Sequence, residues 1–272
     1  MADPGIKNHL KPSQRRGQRS IVFAVVALTA LGLLFVSLGN WQLNRAQERR
    51  EIAQALELGR QEPTVTLTAQ SDVTALLPWQ SAEVSGYWLA QWSVLLDNRS
   101  FNGAPGFWLA TPLQLSSDTA VLVLRGWVPR PIAQHNPFVP VLQSTAAVRV
   151  SGEIALRVPR LYELAQSEPL PADPVSLAQT ESAQSVLDLN LLPQRQNLTI
   201  DEISKTSGLQ FLPVVLMQTS PVDGAQLERD WPTPSVDANT NVGYAIQWFS
   251  FAAIAFGALG VLVWRIRRRE KI

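Results

Sequence analysis

The sequence predicts a membrane protein of mixed α and β structure, with two transmembrane helices flanking an antiparallel β domain, a sandwich or a partly open barrel. Three observations lead there. Ile21–Leu38 is a run of eighteen residues without a charge, and Tyr244–Trp264 is a second of twenty-one. Between them, short runs rich in Val, Leu, Trp and Thr alternate with turn clusters, the pattern of short strands at regular spacing. The ends are basic and the middle is acidic: residues 1–20 and 265–272 each carry +4, so within a net charge of +1 the rest holds −7.

Taken in order, residues 1–20 are polar, basic and punctuated by Pro and Gly, and are expected to form a tail without regular structure. The run read as a transmembrane helix over 21–43 has about the 20 residues that cross ~30 Å of hydrocarbon. Only a helix satisfies its own backbone there. It is longer than the 7–15-residue apolar core of a signal peptide, and Leu38–Gly39–Asn40–Trp41 is a poor cleavage site. An uncleaved anchor is therefore expected, with Trp41 at the depth tryptophan favours. From 44 to 62 the residues are good helix formers with no Gly before Gly59, which predicts a helical extension.

Past Pro63 the period shortens. TVTL, SAEVSGYWL, WSVLL, GFWLATPLQL and AVLVLRGWV read as strands, with DNRSFNGAPG and SSDT as turns, in a β domain over 63–242. Arg125 is the one charge in VLVLRGWV, and on a central strand it must find a partner. A strand follows near 146–156. Residues 157–195 lack periodicity and are expected to be a long, locally helical excursion. Thr199 with Glu202 has the spacing of a capping box, opening a short helix that Gly208 ends. Phe211–Gln218 is the last strand, and a polar return leads to a second transmembrane helix over 243–264.

Lys and Arg are enriched on the cytoplasmic flanks of spanning helices. Both termini are therefore expected in the cytoplasm and the acidic domain outside, periplasmic in a bacterial inner membrane. An acidic middle excludes nucleic acid as a partner, since phosphate binding needs a basic face. Zero cysteines excludes disulfides and thiolate chemistry, and the two histidines, His9 and His135, lie in unrelated segments. No phosphate-cradling, nucleophile-elbow or zinc-binding motif occurs, so neither catalytic nor metal-ligating residues are assigned and no enzyme is expected.

What remains is aromatic and basic decoration: Trp41, Trp88, Trp92, Trp108, Trp127, Trp231, Trp248 and Trp264, with Arg45, Arg99, Arg125 and Arg130. Interface belting and core packing account for most of it. Arg99, Arg125, Trp127, Arg130 and Trp248 are structural or partner-contact candidates. Gln247 and Ser250 are polar within an apolar span and imply a helix contact or a ligand. Gly257 and Gly260 offer a small-residue face for close helix approach.

Four blocks in order carry a resemblance: LGNWQLNRAQER after the first span, GYW…VLLDNRSFNGAPGFWLATPLQL, VLVLRGWVPR, and YAIQWF opening the second. Together they resemble the surfeit-locus-protein-one family, the membrane-anchored assembly factors of cytochrome c oxidase. The resemblance implies a non-catalytic role in maturing a haem-copper oxidase, assisting haem a insertion into the catalytic subunit. It implies as partners subunit one of that oxidase, other assembly factors and membrane lipid. Trp41 and Arg45 leave the first span on the side where Tyr244 and Gln247 enter the second, which places a patch at one membrane depth where a haem edge or an oxidase helix could dock and Arg45 meet propionates; interface anchoring by Trp41 and Tyr244 is the alternative. Some bacterial members are taken to bind haem a through a histidine beside the second span; here that position is Asn241, a poor iron ligand. The alternatives are a haem-carrying transfer protein that uses no histidine and a two-span scaffold without a respiratory role.

Overall fold

The structure, a computed structural model, describes residues 12–130, 139–140, 147–163, 168–174, 178–179, 185–187, 189–221 and 227–269. His9, His135 and the last basic residue, Lys271, lie outside them. Three α-helices occur among the described residues: α1 (Pro12–Gln61), α2 (Ile200–Ser207) and α3 (Asn239–Arg269). The chain divides into two units, a helix pair (Met1–Ala53 with Pro234–Ile272) and a β domain (Gln54–Thr233).

In the helix pair, α1 and α3 carry 18-residue windows of mean hydropathy 2.7 and 1.9. Only 6% and 11% of those windows is buried, so neither is the core helix of a soluble fold. Two apolar helices with so little protein around them satisfy their side chains in lipid. α1 begins at Pro12, inside the stretch expected to be unstructured; proline suits a first helical turn, where its missing N–H costs nothing. The two helices pack antiparallel in a seven-residue register. A Cβ on Gly32 would lie 2.6 Å from the Phe256 ring, and one on Gly39 the same distance from Phe249. Between these notches Phe35 stacks on Trp248 at 5.7 Å and meets Phe251 at 5.6 Å. The expected approach points, Gly257 and Gly260, face open space instead, with nothing within 4 Å of an added Cβ. The buried face of α3 is marked by Ala245, Ala252 and Ala255, and the two glycines lie off it.

The β domain holds β1 (Val65–Leu67), β2 (Ser81–Trp88), β3 (Val94–Phe101), β4 (Ala104–Gln114), β5 (Thr119–Pro129), β6 (Val139–Pro140), β7 (Val148–Ala155), β8 (Ala178–Gln179), β9 (Ser185–Leu187), β10 (Gln194–Arg195) and β11 (Gln210–Gln218). Its main sheet runs β1-β2-β7-β11-β5-β4-β3-β10, and β2 also pairs with β4. That pairing, Tyr87 with Gln114 and Trp88 with Leu113, closes β2, β7, β11, β5 and β4 into a barrel. The barrel is closed rather than partly open, and the sheet is mixed: β1–β2, β10–β3 and β11–β5 run parallel. Val84, Val121, Val123, Val150, Ile154, Leu113 and Leu216 form one buried cluster drawn from the five ring strands. Leu122, Leu124, Trp108, Trp127 and Val215 face a second, which Ile203 of α2 and Leu198 cover. With both faces buried, β4 and β5 read as continuous apolar runs rather than alternating ones.

Local chemistry sets the connections. β3 runs on through the expected turn DNRSF, and the chain reverses only at Asn102–Gly103 (φ 49° and 79°), the two positive φ values a tight hairpin needs. Thr199 and Glu202 form the expected capping box, and Gly208 ends α2 in the left-handed region. The described residues between 157 and 195, expected to be a locally helical excursion, hold short strands and a single 3-10 turn at Leu189–Leu191, with no α-helix among them. Pro159, Pro169, Pro171, Pro174 and Pro193 explain this, since each lacks an N–H and clashes with a helical turn before it. The last turn of α1 lies against the backbone of Pro78, where a Cβ on Gly59 would come within 2.0 Å of the carbonyl oxygen.

Candidate functional site

The β domain gathers three of the sequence candidates, Arg99, Trp127 and Arg125, around β3, β4 and β5. Arg99 is 5% exposed; its guanidinium lies over the Trp108 ring at 4.4 Å and donates to the carbonyls of Pro159 (2.9 Å) and Gln196 (3.1 Å). Burial lowers its pKa to about 10, so it stays charged at neutral pH. Trp127 donates its indole N–H to the Arg99 carbonyl at 2.9 Å and packs on Phe101. Trp231, in the return segment, stands edge-on to Trp108 at 5.2 Å and donates its indole N–H to the Gln218 carbonyl. Backbone pairing between Trp127 and Glu228 holds that segment on β5.

These rings wall a cleft of about 280 Å³, lined further by Phe101, Glu228 and Asp230. The Glu228 and Asp230 side chains have no hydrogen bond or ion pair with a described residue, and both are exposed. The cleft therefore offers ring surface and negative charge, with two of its indole donors already engaged. Its tryptophans stood out in the sequence. Phe101, Glu228 and Asp230 did not, because only the β5 pairing brings residues 228–231 beside the β3–β4 turn.

Arg125 is completely buried and lies over Trp88, a residue of the barrel seam, at 4.5 Å. It is the extra residue of a β-bulge, because Leu109 pairs with Gly126 and Ala110 with Leu124. Gly126 completes the bulge at φ 151°, and a Cβ there would lie 2.6 Å from that of Leu227. Burial, and then the charge of neighbouring Arg229, lower the Arg125 pKa to about 9. Arg130 is half-exposed, ion-paired to Asp97 and set over the Phe107 ring. It is thus a surface strut.

In the helix pair the predicted patch is spread over outward faces. Trp41 (55% exposed), Tyr244 (51%) and Gln247 are exposed, and Arg45 pairs with Glu48 of its own helix at 2.7 Å. What the helices do bring together is Asn241 and Gln42: the Asn241 side-chain N–H donates to the Gln42 side-chain Oε1 at 2.7 Å. Trp248 is engaged with Phe35 and Phe251. Asn241 does not fit a haem-iron ligand, because its side chain is an amide already bonded to that of Gln42. The heptad spacing shared by Gly32 and Gly39 with Phe249 and Phe256 was the available sequence signal for this packing.

The comparisons with known proteins agree with the four sequence blocks. A model of the SURF1 family matches residues 29–253, from within the first apolar run, through the whole β domain, into the second. An uncharacterised SURF1-like protein of Mycobacterium bovis is 26% identical over 94% of this chain and 88% of its own. A SURF1-like protein of Rickettsia bellii is 25% identical over 88% of each. One from Monosiga brevicollis is 26% identical over 90% of this chain and 87% of its own. With the match reaching into both apolar helices and covering the barrel between them, the chain belongs to the SURF1 family, whose members are known in general as oxidase assembly factors.

Proposed function

We propose that this chain is a non-catalytic assembly factor for a haem-copper oxidase, assisting haem a insertion into the catalytic subunit without ligating the iron itself. The observation that carries this is the family match over the barrel and into both apolar helices, joined to the Asn241–Gln42 amide pair where a histidine would stand. Subunit one of the oxidase and other assembly factors are the partners. Both termini lie in the cytoplasm of a bacterial inner membrane and the β domain lies in the periplasm, in keeping with the basic flanks.

Deletion of the gene tests the role. Membranes of the deletion strain should lose most oxidase activity and haem a, and plasmid-borne wild type should restore both. Unchanged activity and haem content would leave a two-span scaffold instead. The purified protein should be colourless in the visible; a stoichiometric haem band would make it a haem carrier.

A further inference from the structure

We propose that the aromatic cleft of the β domain is a docking site for an arginine side chain of a partner polypeptide. Its walls are Trp108, Trp127, Trp231 and Phe101, and its rim carries Glu228 and Asp230. Ring faces attract cations through their quadrupole, with tryptophan the strongest and arginine the commonest guest. The indole N–H groups of Trp127 and Trp231 are spent on the carbonyls of Arg99 and Gln218, so they offer nothing to an anion. The charged side chains of the lining are both carboxylates, Glu228 within electrostatic reach of Arg229 and Asp230 beyond it at the rim. The fold already seats one guanidinium on this aromatic group, Arg99 over Trp108 at 4.4 Å. Arg99 opposes an incoming cation but bonds to two carbonyls of its own behind Trp108, and Arg229 offsets part of the Glu228 charge, which leaves Asp230 as the rim carboxylate with no cation set against it among the described residues.

Size selects the kind of guest. At about 280 Å³ the cleft lies just below the range of ~300–1,000 Å³ usual for small-molecule pockets, and it suits one long side chain. A guanidinium on an aliphatic stem presents a planar cation to the rings and N–H donors to the rim. The site lies wholly within the β domain and does not depend on the oxidase role.

Saturation-transfer NMR on the full-length protein in maltoside micelles tests this. The probes are N-acetyl-arginine amide and its neutral isostere N-acetyl-citrulline amide. Transfer to the arginine side chain should exceed that to citrulline by about tenfold, as a cation-dependent contact requires. It should fall to the citrulline level in Glu228→Gln/Asp230→Asn, whose near-ultraviolet circular dichroism reports an intact tryptophan cluster. Equal transfer from both probes, or an unchanged signal in the double variant, overturns the site. Tetramethylammonium binding more tightly than the arginine probe overturns the polypeptide guest in favour of a quaternary ammonium headgroup.

Discussion

Arg125 is a charge the fold takes wholly out of water, and its two replacements separate size from charge. Arg125→Ala opens a void beside Trp88 and should destabilise the β domain by about 3 kcal/mol, in the range of large-to-alanine core changes. Arg125→Met keeps most of the volume but leaves the groups that hold the buried cation without it, so it should also cost about 3 kcal/mol. Urea unfolding followed by tryptophan emission checks both; equal losses would show that the charge itself is required. At α2, Thr199→Ala removes a capping hydroxyl and should lower stability by about 1 kcal/mol. Burial works to raise the Glu202 carboxyl, but bonds from the Thr199 backbone and hydroxyl, with Arg195, outweigh it and leave the pKa lowered. A depressed carboxylate stabilises above its unfolded pKa of about 4.3, and the benefit disappears as pH falls through the folded value. The Tm difference between wild type and Glu202→Gln should therefore shrink below about pH 4. The capping box was legible in the sequence because it is local. The setting of Arg125 was legible only as a requirement: its bulge depends on a register between β4 and β5 that no single strand encodes.

At the scale of elements, the α1–α3 register makes a prediction that a cysteine-free chain tests cleanly. Gln42→Cys with Asn241→Cys should cross-link on oxidation in native membranes, whereas Trp41→Cys with Gln247→Cys, on outward faces, should not. Gly39→Leu would drive a side chain into the Phe249 ring and should weaken the first cross-link several-fold, while Gly257→Leu, in open space, should leave it intact. Both apolar runs were plain in the sequence, and so were most strands, since a hydrophobic period is a local property. Which glycines the helices use was not, because it depends on the rotation of one helix against the other. Gly257 and Gly260 looked right by spacing, yet the rings of Phe249 and Phe256 point the contact at Gly39 and Gly32. Barrel closure was also hidden, because it rests on two residue pairs at the end of β2.

At the scale of the whole chain, the charge segregation sets an expected topology. Alkaline phosphatase fused after Asp118 should be active and after Ile272 inactive; the reverse would move the β domain to the cytoplasm and remove the periplasmic assignment. The family and the two-span plan were readable from four ordered blocks, while the acidic aromatic cleft needed the fold to assemble it.

The paired glycine notches of the helix pair have a mechanical consequence. Because both recur at seven residues, a slip that reseats a ring in a notch must cover a full heptad, about 10.5 Å at 1.5 Å per residue. Any smaller slip lifts both rings from their seats at once. The two helices therefore hold a fixed stagger along the bilayer normal. A bilayer thinner or thicker than the apolar length is met by leaning the pair as one strut, not by sliding one rod past the other.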